Sequence, residues 1–225
     1  MQVQPSDNRY IIVSGNSRTG TSLMMQTLKA LGLKVSGEKF VRKPGDELYE
    51  EHYENNPLGF YEIPYLVNVG IKDYTVDKIN GEVVKLNLPG LLKTDKKYVD
   101  KLIYCIRNPQ EMVDSKLKAI ANDQSTYQSP DHIYYWHNRM TKLFIKNTPV
   151  KWWKEKILVV DYADMVQNNR HEINRICEFL TIEPRAVAFG VVQSGLYRSK
   201  PVVRKNKQAM QDYRWLRGKI GTTKN

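Results

Sequence analysis

Cysteine and histidine are scarce in this sequence of 225 residues. Its two cysteines, Cys105 and Cys177, each lie in an apolar stretch. They make no disulfide framework, so we expect buried, reduced thiols in a cytoplasmic protein. The four histidines are scattered without a nearby cysteine. No metal-ligand spacing results, and we expect no metal site.

Long apolar runs are also missing. No run approaches the roughly 20 residues that a helix needs to span a bilayer. The first residues have neither the basic region nor the apolar region of a signal peptide, so we expect neither a membrane span nor a signal peptide. A chain of this size can bury roughly 70–75% of its extended surface. The composition therefore excludes a disordered chain, a disulfide scaffold and a collagen-like fibre.

Negative charge is in deficit. The chain has 35 Lys and Arg against 24 Asp and Glu, which gives a net charge of +11. Such an excess permits nucleic acid, an anionic membrane or a phosphorylated ligand as partner. Residues 198–225 hold nine Lys or Arg and one Asp, and so carry +8 of the total. We expect one domain over residues 1–225 that ends in this basic C-terminal segment, 198–225.

Short apolar runs predict the strands. Three of them, Tyr10–Val13, Leu102–Ile106 and Ile157–Val160, are each followed by a segment of helical periodicity, and Glu82–Leu86 is a weaker fourth candidate. Strands that alternate with helices indicate a parallel sheet covered on both faces. The sequence therefore predicts a three-layer α/β fold.

The first strand runs into a glycine-bearing turn, residues 14–22, and then into a helix. Free backbone N–H groups and the positive end of the helix dipole favour an anion at such a place. Gly15 and Gly20 have the spacing of a nucleoside-triphosphate P-loop, but Thr21 stands where the lysine is required. The alternatives are a tight turn capped by Ser and Thr, or a phosphate loop whose cation has moved to Arg18.

Residues 17–23, Ser-Arg-Thr-Gly-Thr-Ser-Leu, resemble the phosphate loop of PAPS-dependent sulfotransferases. The resemblance implies a P-loop-like fold and a loop that holds the 5′-phosphosulfate of the donor, 3′-phosphoadenylyl sulfate (PAPS). It makes Arg18 both a donor ligand and a catalytic cation. The other implied ligands are Thr19, Gly20, Thr21 and Ser22.

A second anion site is expected because PAPS carries a separate 3′-phosphate. The family signature for that phosphate is Arg-Asn-Pro with a serine eight residues after the arginine, and it is matched by Arg107 and Ser115. Arg107 follows a strand, where its guanidinium can grip a phosphate as a fork. Tyr162 lies in a segment that resembles the family's Tyr-Glu-Asp-Met, whose tyrosine lies near the adenine.

Lys85 resembles the family lysine that touches the transferred group, which makes it a catalytic candidate. In small-molecule sulfotransferases a histidine base follows two residues later, but Asn87 stands here and takes no proton at neutral pH. By resemblance to the tyrosylprotein enzymes, Glu38 is our first candidate for the base. Glu62 is the second. Sulfuryl transfer requires no metal, because the transferred sulfuryl group carries fewer negative oxygens than a phosphoryl group.

The sequence thus predicts transfer of a sulfuryl group from PAPS to an acceptor hydroxyl or amine, giving PAP. In sulfotransferases the C-terminal segment often brings an Arg-Lys pair over the 3′-phosphate. By this resemblance, Arg204 and Lys205 are expected to bind the 3′-phosphate. The tail is otherwise a solvated basic segment, and we expect no specific nucleic-acid partner. The alternatives are a P-loop nucleotide kinase, a basic nucleic-acid-binding protein without catalysis, and a degenerate sulfotransferase without turnover.

The acceptor is not identified by any motif. An aromatic group beside Arg139 either lines an acceptor pocket or forms the buried face of a helix, and helical spacing favours the buried face. The group comprises Tyr134, Tyr135 and Trp136.

Overall fold

A computed structural model describes residues 9–38, 59–120, 128–192 and 206–219. The described strands form one parallel sheet in the order β2-β1-β3-β4. Their bounds are β1 Tyr10–Gly15, β2 Val83–Asn87, β3 Val99–Ile106 and β4 Ile157–Asp161. All four predicted strands are confirmed, including the weak candidate, which is β2 at one edge of the sheet.

Helices connect and cover these strands. The α-helices are α1 Thr21–Ala30, α2 Leu66–Val69, α3 Leu88–Lys93, α4 Pro109–Ile120, α5 Pro130–Asn147, α6 Trp152–Glu155, α7 Tyr162–Gln167, α8 Asn169–Leu180, α9 Ala186–Phe189 and α10 Lys207–Arg217. Short 3₁₀ helices occupy Asp73–Lys78 and Lys96–Tyr98. Within the described ranges, no helix is long and apolar enough to cross a bilayer.

Alternate side chains of each strand point to opposite faces of the sheet, and each face buries its own core. In β3, Tyr104 lies in one core cluster and stacks on Phe144 of α5, with ring centroids 4.1 Å apart. Its neighbour Cys105 lies in the other cluster, together with Met24 of α1 and Ile173 of α8. The predicted α/β fold with a central parallel sheet between helices is confirmed. Cys105 and Cys177 are both buried, free thiols, as expected.

The carboxyl ends of parallel strands meet at one edge of a sheet, and in open α/β sheets this is where ligands bind. Each strand here leads directly into a helix or a loop at that edge. β1 runs into the phosphate loop and α1, β2 into α3, β3 into Arg107 and α4, and β4 into α7. The motifs found in the sequence therefore face one another across neighbouring strand ends.

Candidate donor-binding site

The phosphate loop between β1 and α1 is shaped by two residues with left-handed backbone. Arg18 has φ 68° and Gly20, which precedes the first residue of α1, has φ 93° and ψ 15°. Such a conformation favours glycine, and a Cβ at Gly20 would also lie 2.6 Å from Cδ2 of Tyr162. Thr19 fixes the turn by donating its hydroxyl to the Asn16 carbonyl at 2.7 Å. The N-cap of α1 makes no side-chain hydrogen bond to the first amides of the helix, and such a helix start favours an anion.

Lys85 lies under this loop, with only 4% of its surface exposed. Its ammonium group donates to Ser22 Oγ and to the Phe60 carbonyl, each at 2.9 Å. It also forms an ion pair with Glu62 at 2.9 Å. Burial lowers the pKa of Lys85; the Glu62 carboxylate opposes this shift, and the positive charge of Arg18 adds to it. The two predicted catalytic cations therefore share one electrostatic environment.

Arg18 joins the loop to the predicted 3′-phosphate site. Its Nε donates to Ser115 Oγ of α4 at 3.1 Å, while Nη1 of Arg107 donates to the Arg18 carbonyl at 3.4 Å. Burial lowers the pKa of Arg18, and the positive charge of Arg107 lowers it further. Two guanidinium groups brought together under partial burial repel each other. A bound anion would relieve that repulsion.

The Arg107 guanidinium is held from two sides. Its Nε contacts Glu111 Oε2 at 3.3 Å, one helical turn further along, and both side chains of this pair are largely buried. The guanidinium also lies over the Tyr162 ring, 4.3 Å from the centroid. Because Glu111 contacts Nε, the protein itself fixes the orientation of the Arg107 guanidinium.

The structure thus brings most of the sequence-predicted site residues together. Those that meet at the carboxyl edge of the sheet are Arg18, Thr19, Gly20, Thr21, Ser22, Lys85, Arg107, Ser115 and Tyr162. Arg204 and Lys205 lie outside the described residues.

The two candidate bases are placed differently. Glu62, the second candidate, contacts Lys85, which no feature of the sequence indicated. Glu38, the first candidate, forms an ion pair with Lys29 of α1, and about half of its side chain is exposed. Gly37 packs against the backbone of Tyr61, so the two glutamates stand on neighbouring segments. Of the two, Glu62 is the carboxylate that the structure holds against a predicted catalytic cation.

The three aromatic residues on α5 do not share one environment. Tyr134 is buried, as the preferred interpretation requires. Tyr135 and Trp136 are exposed by 54% and 44%, and they form a T-shaped ring pair with centroids 5.6 Å apart. Interpreting all three rings as a buried face was therefore wrong, because consecutive helical positions point about 100° apart.

Sequence reasoning missed a polar cluster beside Tyr162. Asp161, the last residue of β4, is fully buried, and its carboxylate contacts Tyr213 and Arg217 of α10. Nothing in the sequence pairs residues more than 50 positions apart. Glu111 had a local signal that was overlooked, since it lies four residues after Arg107 on the helix that follows.

Part of the chain matches a known protein family. Residues 100–185, less than half of the chain, match a family model described as the sulfotransferase family. No curated protein matches the chain.

Two solved structures share the fold. One is the sulfotransferase domain from the Synechococcus PCC 7002 olefin synthase, with 13% identity and a TM-score of 0.52, covering 96% of this chain and 98% of that one. The other is the sulfotransferase domain from the curacin biosynthetic pathway, with 11% identity and a TM-score of 0.52, covering 93% and 98%. The family model therefore confirms the resemblance to the sulfotransferase family over residues 100–185, and the two solved structures share the fold over nearly the whole chain.

Proposed function

We propose that this protein is a PAPS-dependent sulfotransferase that moves a sulfuryl group to an acceptor hydroxyl, or to an amine, and releases PAP. The observation that carries the proposal is the convergence of Arg18, Lys85, Arg107 and Ser115 at one edge of the sheet. Three of these are cations, and they come from separate strand ends. A ligand that matches them carries negative charge at two places.

The two ends of the donor would be bound by different elements. The free amides of the phosphate loop and the first turn of α1 suit the 5′-phosphosulfate. Arg107 suits the 3′-phosphate, because its largely buried guanidinium is a cation held in place beside the loop and guanidinium groups bind phosphate strongly, and Ser115 adds a hydroxyl. Arg18 stands between these two places, in hydrogen-bond contact with Ser115 and electrostatically coupled to Lys85.

The transferred group is supplied by PAPS, and this chain's part is to stabilise the charge that grows on the leaving oxygen. Cations that are already in place and shielded from water do this more effectively than solvent. Lys85 fits the role because its ammonium group is buried and fixed in position by Ser22, Phe60 and Glu62. Ser22, which accepts from Lys85 at 2.9 Å, ties that ammonium to the loop that would hold the donor.

The acceptor must lose a proton, and we propose that Glu62 takes it. Glu62 stays partly exposed while its carboxylate touches Lys85, so an acceptor oxygen could reach it from solvent near the transferred group. A general base must lie within hydrogen-bond reach of the proton it removes. Glu38 remains the alternative, and matched variants separate the two.

Calorimetric titration tests the donor assignment without knowledge of the acceptor. Full-length protein is titrated with PAP, with 5′-AMP and with Mg·ATP. The proposal predicts that PAP binds more tightly than 5′-AMP, because only PAP has the 3′-phosphate. Equal affinity for PAP and 5′-AMP would remove the second phosphate site. Tighter, magnesium-dependent binding of ATP would favour a kinase instead.

A further inference from the structure

A buried carboxylate ties the C-terminal helix to the end of β4. Asp161 is fully buried, yet it keeps three hydrogen-bond donors. Its Oδ1 accepts from the Ala163 amide at 2.9 Å. Its Oδ2 accepts from the Tyr213 hydroxyl at 2.5 Å and from the Arg217 guanidinium. Burial raises the pKa of Asp161, and these donors and the charge of Arg217 pull it back.

Both of the long-range donors come from α10. Arg217 also reaches Asp164 on α7 at 3.1 Å, so one guanidinium bridges two carboxylates. The helix buries Ala209 and Leu216 against the body of the protein. A buried carboxylate is costly unless its partners are all present. The docked position of α10 is therefore coupled to the state of Asp161.

The residue after Asp161 belongs to the candidate donor site. Tyr162 begins α7, and the Asp161 side chain caps that helix by accepting from Ala163. The cap fixes the direction in which Tyr162 leaves the strand. Its ring then lies against Gly20 of the phosphate loop and under the Arg107 guanidinium. A continuous set of contacts runs from α10 to both predicted phosphate sites.

We propose that α10 is a positioning element of the donor site. Arg217 and Tyr213 hold Asp161, and Asp161 in turn fixes Tyr162 against Gly20 and Arg107. This inference rests on the proposed function, since it assigns the contacts a role in binding the donor. None of these α10 side chains touches the donor itself in this account; they act through Tyr162.

Coupling of this kind is reciprocal, because whatever stabilises one arrangement of Tyr162 stabilises the other groups that share it. Occupation of the donor site should therefore make α10 more firmly docked. Hydrogen exchange reports that docking through the backbone amides of the helix. In the wild-type protein, saturation with PAP should slow exchange across Lys207–Arg217.

The test compares two arginines on the same helix. Arg217→Met removes the contact with Asp161, while Arg214→Met removes an equal charge from an exposed position of α10. We expect Arg217→Met to weaken PAP binding on the order of tenfold, the usual size of such couplings, and to abolish the effect of PAP on exchange. Arg214→Met should keep both within about twofold of wild type, a small difference on the affinity scale.

Two further variants separate positioning from general damage. Tyr213→Phe keeps every charge and deletes one hydroxyl, so it should weaken PAP binding with the fold intact. Arg217→Lys should recover part of the affinity because it restores a cation beside Asp161. A merely structural role would show unfolding without such graded recovery.

Distinct results overturn the two proposals. If Arg217→Met and Arg214→Met bind PAP equally, or if PAP leaves exchange in wild-type α10 unchanged, α10 has no positioning role while the donor site stands. If wild-type protein binds PAP no more tightly than 5′-AMP, the donor assignment fails, and the positioning role fails with it.

Discussion

Replacing the Arg107–Glu111 pair by neutral side chains should remove the predicted recognition of the 3′-phosphate while the rest of the site keeps its binding. The guanidinium is largely buried, with Nε on Glu111 and Nη1 on the Arg18 carbonyl. Deleting Arg107 alone would break a largely buried ion pair with Glu111, at a cost on the order of 3 kcal/mol or more in stability. The double variant Arg107→Met with Glu111→Gln removes both charges of the pair together.

The size of the effect follows from the bonds that are lost. A hydrogen bond to a charged group contributes about 1.5–3 kcal/mol. A phosphate on the Arg107 fork would accept one or two of them. Taking about 3 kcal/mol, the double variant should bind PAP roughly 100-fold more weakly than wild type. Its affinity for 5′-AMP, which lacks the 3′-phosphate, should change by less than about threefold.

Calorimetric titration of both proteins with both nucleotides gives the four affinities that this comparison needs. Damage to the fold would weaken PAP and 5′-AMP binding together, so only the ratio of the two affinities reports the 3′-phosphate. Thermal unfolding of each protein confirms that it is folded at the titration temperature. A PAP to 5′-AMP ratio that is unchanged in the double variant would refute the assignment of Arg107.

Three further predictions concern the base, the buried histidine and the tail. Glu62→Gln should slow sulfuryl transfer about 100-fold, as loss of a general base does, whereas Glu38→Gln should not; the reverse order would make Glu38 the base. Burial lowers the pKa of His137 to about 4, below its ordinary value of 6.5. As the pH falls, His137 therefore takes up a proton in the unfolded chain before it does so in the folded protein. The free energy of unfolding should fall by up to about 3 kcal/mol as the pH drops from 6.5 to 4. Chemical denaturation at several pH values checks this, because the stability of a His137→Phe variant should depend less on pH over this range. An identical dependence of stability on pH in the two proteins would contradict the prediction. Truncation after Val203 should weaken PAP binding, and unchanged affinity in calorimetry would exclude a role for the removed tail.

The sequence predicted the sheet because its signals are local. β1, β3 and β4 each contain a short apolar run, and such runs need no distant partner to be recognised. The weak candidate became β2, whose lysine is buried by the loop above it. Lys85 made the strand look half polar, although its contacts with Ser22, Phe60 and Glu62 are what allow the charge to be buried.

The parts that escaped prediction depend on distant segments. Glu38 and Glu62 are the same type of residue, and only the folded structure shows that Glu62 contacts Lys85. Asp161 and Arg217 are 56 residues apart and pair because α10 packs across the end of β4. The tail was expected to be a solvated basic segment or a lid, but part of it is a docked helix. Arg217 there faces Asp161 and Asp164, so its charge is matched within the protein.

Transfer of label from ³⁵S-labelled PAPS measures the proposed sulfotransferase activity itself. Wild-type protein is incubated with the labelled donor and a panel of phenols, alcohols, sugars and amines, beside Lys85→Met and a surface control, Lys154→Met. We expect labelled product with at least one class of acceptor. The rate should be about 100- to 1,000-fold lower in Lys85→Met, the effect of losing one preorganised charge-stabilising group, and unchanged in Lys154→Met. Equal rates in all three proteins, or no transfer by the wild type to any class, would show that the protein is not a sulfotransferase that works through Lys85.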